Sequence, residues 1–246
     1  MRSRGALFVC HLIGNALLLW LAYYWLGVNE STNARLIWSV VVALVFVAGA
    51  VWLHGMGLAH FSGIPLAEAA RQSARHLAPL ILLSLLTLVL YGALLWTGNQ
   101  LARPAYVIGS WLTLHLKKPV SPRGVERFFQ IVLDIVQYVV VPVLLLPLAR
   151  AIAVEGWRGW KATNLRQSRR ALYWIEVGVL LFVGISAPFK LFFWIPKIES
   201  FGGQFWSFAL RVALGYLIFV VALLAVEFFT SAGKPRDIQP STAVSP

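Results

Sequence analysis

The sequence predicts an all-α, polytopic membrane protein: a bundle of about six transmembrane helices with two amphipathic helices lying along one membrane surface. Three observations carry this prediction. Hydrophobic residues make up 59% of the 246-residue chain and charged residues 12%, about half the roughly 25% charge of a soluble domain. Mean hydropathy is +0.76. The apolar residues gather into six runs, each near the roughly 20 residues that a helix needs to cross hydrocarbon.

The runs are 6–26, 37–54, 77–96, 128–148, 171–189 and 206–229, so residues 1–230 are expected to form one transmembrane domain. They are continuous rather than alternating with period two. That argues against a β-barrel, whose strands put a polar residue at every second position. The first run follows Arg2 and Arg4, as in a signal peptide, but it is long enough to span and no small-x-small cleavage site follows, so it is expected to be retained. Leu7-Phe8-Val9-Cys10 lacks the small residue that a lipoprotein site places before its cysteine. Cys10 is the only cysteine, which excludes an intrachain disulfide.

Loop charges set the expected orientation. A cytoplasmic N-terminus puts Arg2, Arg4, Arg71, Arg75, Arg150, Arg158, Lys161, Arg166, Arg169, Arg170, Lys234 and Arg236 inside. Arg35, Arg103, Lys117, Lys118, Arg123, Arg127, Lys190 and Lys197 then lie outside. The excess on the first side gives an N-in, C-in protein, read as one of a bacterial inner membrane. Tryptophans mark the same boundaries: Trp25 and Trp38, Trp96 and Trp111, and Trp194 and Trp206 flank the three outer loops, and Trp157, Trp160 and Trp174 form an inner belt. The net charge of +12 would suggest nucleic acid in a soluble chain. Here the cations sit in short loops, so the expected partner is anionic membrane lipid, with a membrane protein or a second copy as the other possibility and nucleic acid excluded.

The inner linkers show a repeat. Arg71-Gln72-Ser73-Ala74-Arg75-His76-Leu77 and Arg166-Gln167-Ser168-Arg169-Arg170-Ala171-Leu172 agree at five of seven positions, and each copy precedes a span. Each also ends a candidate surface helix, 64–76 and 157–170. On a helical wheel of the second, Arg158, Lys161, Arg166, Arg169 and Arg170 cover one half and Trp157 and Trp160 the other. Such a helix lies among headgroups, where each cation attracts anionic lipid by about 1 kcal/mol. With Arg71 and Arg75 these residues form the expected lipid or partner surface.

The outer segment 105–116 is apolar for 12 residues between Pro104 and Lys117-Lys118-Pro119. It is too short to cross, so it is expected to be interfacial or re-entrant, and an oblique crossing there would invert every later assignment. The tail 231–246 is polar and proline-containing and is expected to be disordered.

Charges within spans are costly, about 2.5 to 3.5 kcal/mol each even on the lenient insertion scale. Asp134 and Arg211 lie at matched depths, roughly 8 to 9 Å in at 1.5 Å per residue. They are expected to pair across the fourth and sixth helices with Gln137 one turn below, as structural glue before any transport role. Glu176 and Glu227 lie near cytoplasmic span ends, where Arg150, Arg166 or Arg170 would neutralise them; a sharper reading makes one of them a proton-relay carboxyl. Pro142, Pro147 and Pro188 offer kinks.

His11 and His54 fall near the inner side and can face one another. No paired-histidine repeat supports a four-helix cytochrome, His54 and His60 project from different faces, and no carboxylate cluster is expected to complete a metal site, so no cofactor or metal is expected. Gly109-Ser110 and Ser62-Gly63 lack the surroundings of an intramembrane serine protease. No His-Glu-x-x-His, P-loop or catalytic aspartate pair occurs. Asn29-Glu30-Ser31 is a formal glycosylation sequon on the outer side. The leading expectation is a non-catalytic scaffold or assembly component. The alternative is a small proton- or ion-coupled transporter or channel using Asp134, Arg211, Glu176 and Glu227.

Overall fold

The structure is a computed structural model and describes residues 2–232; the expected tail beyond them, with Lys234 and Arg236, lies outside the described residues. The architecture is all-helical, 88% helix with no strand among the described residues. In chain order the helices are α1 (Arg2–Leu26), α2 (Asn33–Phe61), α3 (Leu66–Arg75), α4 (Leu77–Gln100), α5 (Ala102–Leu116), α6 (Pro122–Ile135), α7 (Val141–Glu155), α8 (Ala171–Phe193) and α9 (Phe201–Ala232). Among the described residues, six units are long and apolar enough to cross a membrane: α1, α2, α4, the continuous α6–α7 rod, α8 and α9.

The observed helices outrun the apolar runs because a helix does not stop at its first polar residue. α2 begins at a Thr32 cap whose hydroxyl accepts from the Arg35 amide, four residues before the apolar run. α9 runs on through Ser231, which the sequence assigned to the tail; it is buried, and its hydroxyl donates to the Leu58 carbonyl at 3.2 Å.

Pro142 and Pro147 shape the α6–α7 rod in different ways. Pro142 cannot donate to the carbonyl four residues back, and its ring crowds that turn. The chain widens there into a π-helical turn, Val136–Val140, in which the Val141 amide reaches the carbonyl of Val136. Pro147 leaves the Val143 carbonyl without its helical donor, and the Tyr173 hydroxyl of α8 supplies one at 3.2 Å.

The two linkers that carry the repeated heptad differ. The first is α3, which buries Ala69 and Ser73 against α2 and leaves Arg71 and Arg75 exposed. Two bonds seat it: the Trp52 indole donates to the Ala70 carbonyl at 3.0 Å and the Ser73 hydroxyl to the Trp52 carbonyl at 2.8 Å. The second is not the α-helix expected over 157–170. It forms two 3-10 segments, Gly156–Gly159 and Ala162–Arg169. Gly156, at φ +60°, ends α7. Gly159 then lies so close to α7 that a Cβ would come within 2.5 Å of its backbone at Ala151 and Ile152, and the Asn164 amide donates to the Gly159 carbonyl at 2.9 Å. Tight packing onto α7 replaces a regular wheel. Both copies of the repeated heptad do adjoin the start of a long apolar helix, α4 and α8, but with different local conformations.

α5 is a 15-residue helix folded back on α6, with Gly109 against Pro122 and Lys117 in the left-handed region at φ 52°. At about 1.5 Å per residue it is roughly 22 Å long, short of a membrane crossing.

α2 is the hub, packed against α1, α3, α4, α7 and α9, while α8 and α9 form the most extensive pair. Nearly all buried side chains sit in the half of the bundle that holds the start of α1, the end of α2, α3, the start of α4, the end of α7 and the end of α9. This is the end where Arg71, Arg75, Arg158, Lys161, Arg169 and Arg170 lie, and it is called the basic end.

Candidate functional site

Within the basic half, α1, α2 and α9 bring three titratable side chains to one point. His11 comes from α1, His54 from α2 and Glu227 from α9, and one donor atom from each lies within 4.8 Å of the others. Glu227 is 3% exposed and His11 0%. One carboxylate oxygen of Glu227, Oε1, is 2.8 Å from His54 Nδ1; the other, Oε2, is 3.6 Å from His11 Nε2.

Local sequence explains why the three can meet. Gly57, one turn beyond His54 on α2, is buried against the carboxylate: a Cβ there would collide with Glu227 and come within 2.9 Å of His11 Nε2. Glycine therefore clears the volume into which the donors converge. On α1, Asn15 donates to the His11 carbonyl at 2.9 Å, in the buried interior. The histidine rings are 5.5 Å apart between centroids. Three buried polar atoms of the cluster are left over: among the described residues neither ring nitrogen of His11, nor Oε2 of Glu227, has a hydrogen-bond partner.

This arrangement corrects two expectations. Glu227 is met by histidines, not by Arg150, whose guanidinium instead donates to the Ser62 hydroxyl at 2.9 Å. A carboxylate does join His11 and His54, which sequence spacing could not show because Glu227 is 173 residues from His54. His60 lies outside the cluster, with its Nδ1 on the Ile64 carbonyl.

Asp134 and Arg211 do not pair. Asp134 accepts from Gln130 at 2.9 Å, one turn back on α6. Arg211 donates to the carbonyls of Ser207, Leu191 and Trp194. The short α8–α9 connection brings this cation to the C-terminal end of α8, where helix carbonyls lack internal partners and the helix dipole is negative. Those carbonyls are nearer than any carboxylate. Gln137 is buried in the π-helical turn. Glu176 is half-buried on α8 and makes no ion pair among the described residues.

The expected lipid or partner surface is partly assembled. Arg71 and Arg75 are exposed on α3, each with Glu68 at 3.9 and 3.8 Å. Arg158, Lys161, Arg169 and Arg170 are exposed around the 3-10 segments, as is Trp157. The Arg166 side chain lies outside the described set. Trp160 departs from expectation, turning inward to pack on the cluster of Leu58, Leu80, Leu83, Ile152 and Ala153.

The sequence also concealed what the first repeated heptad does. Gln72 donates to the Val154 carbonyl, and His76 Nδ1 lies 3.0 Å from the Ala153 carbonyl, so both serve the open C-terminal end of α7. No protein-family model, curated protein or solved structure matches the chain.

Proposed function

We propose that this is a six-span integral protein of a bacterial inner membrane, with both termini cytoplasmic, that works as a non-catalytic scaffold or assembly component. Its basic end is the working surface, holding anionic lipid headgroups, with a membrane-protein partner or a second copy as the alternative occupant. The observation that carries this reading is the exposure of Arg158, Lys161, Arg169 and Arg170 around one end, beside Arg71 and Arg75 on α3.

Two features support it. Large apolar side chains face outward along the six long helices, for example Trp20, Val89, Phe182 and Leu210, which water would penalise and hydrocarbon would not. α3 and the 3-10 segments are tied to α2 and α7, so their cations are presented on a fixed platform. The twofold occurrence of the heptad fits an ancestral duplication of a span, linker and span unit, with α3 as an amphipathic interfacial helix.

Gentle extraction followed by native mass spectrometry tests the reading. Wild type should retain anionic phospholipid, and the quadruple change of Arg158, Lys161, Arg169 and Arg170 to Gln should release it without unfolding the protein. Equal lipid retention in both overturns the lipid reading; a protein lost with the four charges would identify the alternative occupant. Reporter fusions at residues 64 and 162 should both report the cytoplasm, and opposite signals would overturn the topology.

A second reading, proton- or ion-coupled transport, is favoured by one observation, the burial of Glu227 within an apolar bundle. It draws on Glu227 rather than on Asp134, Arg211 or Glu176. Proteoliposomes should then dissipate an imposed ion gradient, and Glu227→Gln should abolish the flux.

A further inference from the structure

We infer that His11, His54 and Glu227 form a binding site for one divalent transition-metal ion of the Zn²⁺ class, held between α1, α2 and α9. This goes beyond the scaffold reading and does not depend on it.

The donor set suits such an ion. Two imidazoles and one carboxylate are borderline and hard ligands of the kind that bind Zn²⁺ and its neighbours, and three protein ligands leave a fourth position for water. The spacing suits it as well. Donors about 2.0 to 2.1 Å from a tetrahedral ion stand roughly 3.4 Å apart. His11 Nε2 and Glu227 Oε2 are separated by 3.6 Å, too far for a hydrogen bond and close to the span of two ligands on one ion. These same two atoms lack hydrogen-bond partners although fully buried. Buried polar atoms are normally satisfied, and a shared ion would satisfy both.

Glycine at position 57 keeps a side chain out of the convergence point. His54 keeps 32% of its side chain exposed, so the site is not sealed on that side. Its Nδ1 now shares a hydrogen bond with Glu227 Oε1 at 2.8 Å; for Nδ1 to ligate, that proton must leave and the two atoms must part by a few tenths of an ångström. A haem does not fit the same residues. The histidine rings are 5.5 Å apart and the Glu227 carboxylate touches both, which leaves no room for a macrocycle between them.

The test uses the full-length protein in detergent, stripped with chelator and titrated with Zn²⁺ alone, with bound metal counted after gel filtration. Wild type should hold one equivalent and gain thermal stability as Zn²⁺ rises. Glu227→Gln and His11→Gln should each weaken binding by more than about 100-fold, beyond the loss seen when a supporting group outside the ligand set is removed. His60→Gln, on the same helix as His54 but outside the cluster, should bind as wild type does. Less than a stoichiometric equivalent in wild type, or retention of Zn²⁺ by both site variants, overturns the proposal. Should the site variants fail to fold, X-ray absorption of Zn²⁺-loaded wild type decides: two imidazoles and a carboxylate around the ion support the site, and any other shell overturns it.

Discussion

The two halves of the bundle connect their helices in different ways. At the basic end, side chains cross between hairpins. Gln72 and His76 reach the end of α7, Ser231 of α9 reaches the Leu58 carbonyl of α2, and Arg150 of α7 reaches Ser62. At the opposite end, the side-chain bonds among the described residues stay within single hairpins. Trp25 donates to Ser39, which donates to Glu30, and Trp38 donates to Tyr24, all between α1 and α2. Thr113 accepts from Val120 between α5 and α6, and Arg211 serves the end of α8 from α9. One half is a cross-linked frame and the other a set of separate hairpins. Apolar contact distinguishes hydrocarbon-facing helices weakly, so close approach and polar ties set which helices stay together. The buried His11, His54 and Glu227 cluster lies inside the frame.

Paired glycine substitutions should break the comparison most visibly. In Gly159→Ala the new methyl would meet the α7 backbone at 2.5 Å, where no side chain can swing aside. Overpacking of this kind costs about 1 to 3 kcal/mol. Gly92→Ala, in the C-terminal half of α4 away from the basic end, meets nothing within 4 Å and should be neutral or stabilise by up to about 1 kcal/mol, the usual gain from removing a helical glycine. Thermal unfolding in detergent reads both, and equal effects would erase the distinction between the halves.

Next in size is the Tyr173 bond to the Val143 carbonyl. Tyr173→Phe should cost roughly 0.6 to 1.7 kcal/mol, the range for hydrogen bonds between membrane helices. Pro147→Ala restores the amide that this carbonyl would otherwise take in the helix. Tyr173→Phe should therefore be nearly silent in the Pro147→Ala background. Full additivity in that double-mutant cycle would show that the hydroxyl is not compensating for the proline.

Composition alone carried the helical architecture, because six apolar runs leave a backbone no other way to satisfy itself away from water. The position of Pro142 likewise marks where the rod widens into the π-helical turn Val136–Val140. What escaped was tertiary. Depth matching paired Asp134 with Arg211 but ignored the free carbonyls at the end of α8, which lie closer to Arg211. A helical wheel read 157–170 as one face, whereas Gly156 and Gly159 allow the chain to fold tightly onto α7 and turn Trp160 inward. For the candidate site, the approach of His11 and His54 was legible because both fall near the same end of their neighbouring spans. Glu227 was not, since reach along a helix says nothing of the face it presents. Gly55 and Gly57, on either side of Met56 just past His54, were the available signal: small residues beside a histidine mark points of close approach, Gly55 to Ser73 of α3 and Gly57 to Glu227 of α9.

Arg211 and Asp134 sharpen the comparison further because both sit toward the opposite end, where ties are local. Arg211→Gln should cost about 1 kcal/mol through lost bonds to the α8 carbonyls. Asp134→Asn should stay within about 0.5 kcal/mol, since Gln130 remains as its partner. The double variant should be additive to within roughly 0.3 to 0.5 kcal/mol. A coupling energy well above that would mean that these helices are tied across hairpins after all.

The smallest effect should come from the α1–α2 clasp. Trp25→Phe removes the indole donor to Ser39 while keeping an aromatic ring, and its cost should be about 0.5 kcal/mol. The informative readout is where the loss appears. Hydrogen exchange should accelerate around residues 27–32 and leave both the α8–α9 connection at 194–200 and the end of α7 unchanged, because among the described residues the Tyr216 hydroxyl on the Leu12 carbonyl joins this hairpin to α9 only near mid-bundle, and no side-chain bond joins it to the other hairpins at that end. Exchange that quickens at 194–200 as well would show that the outer hairpins move as one body, and the independence attributed to them would then rest on too few contacts.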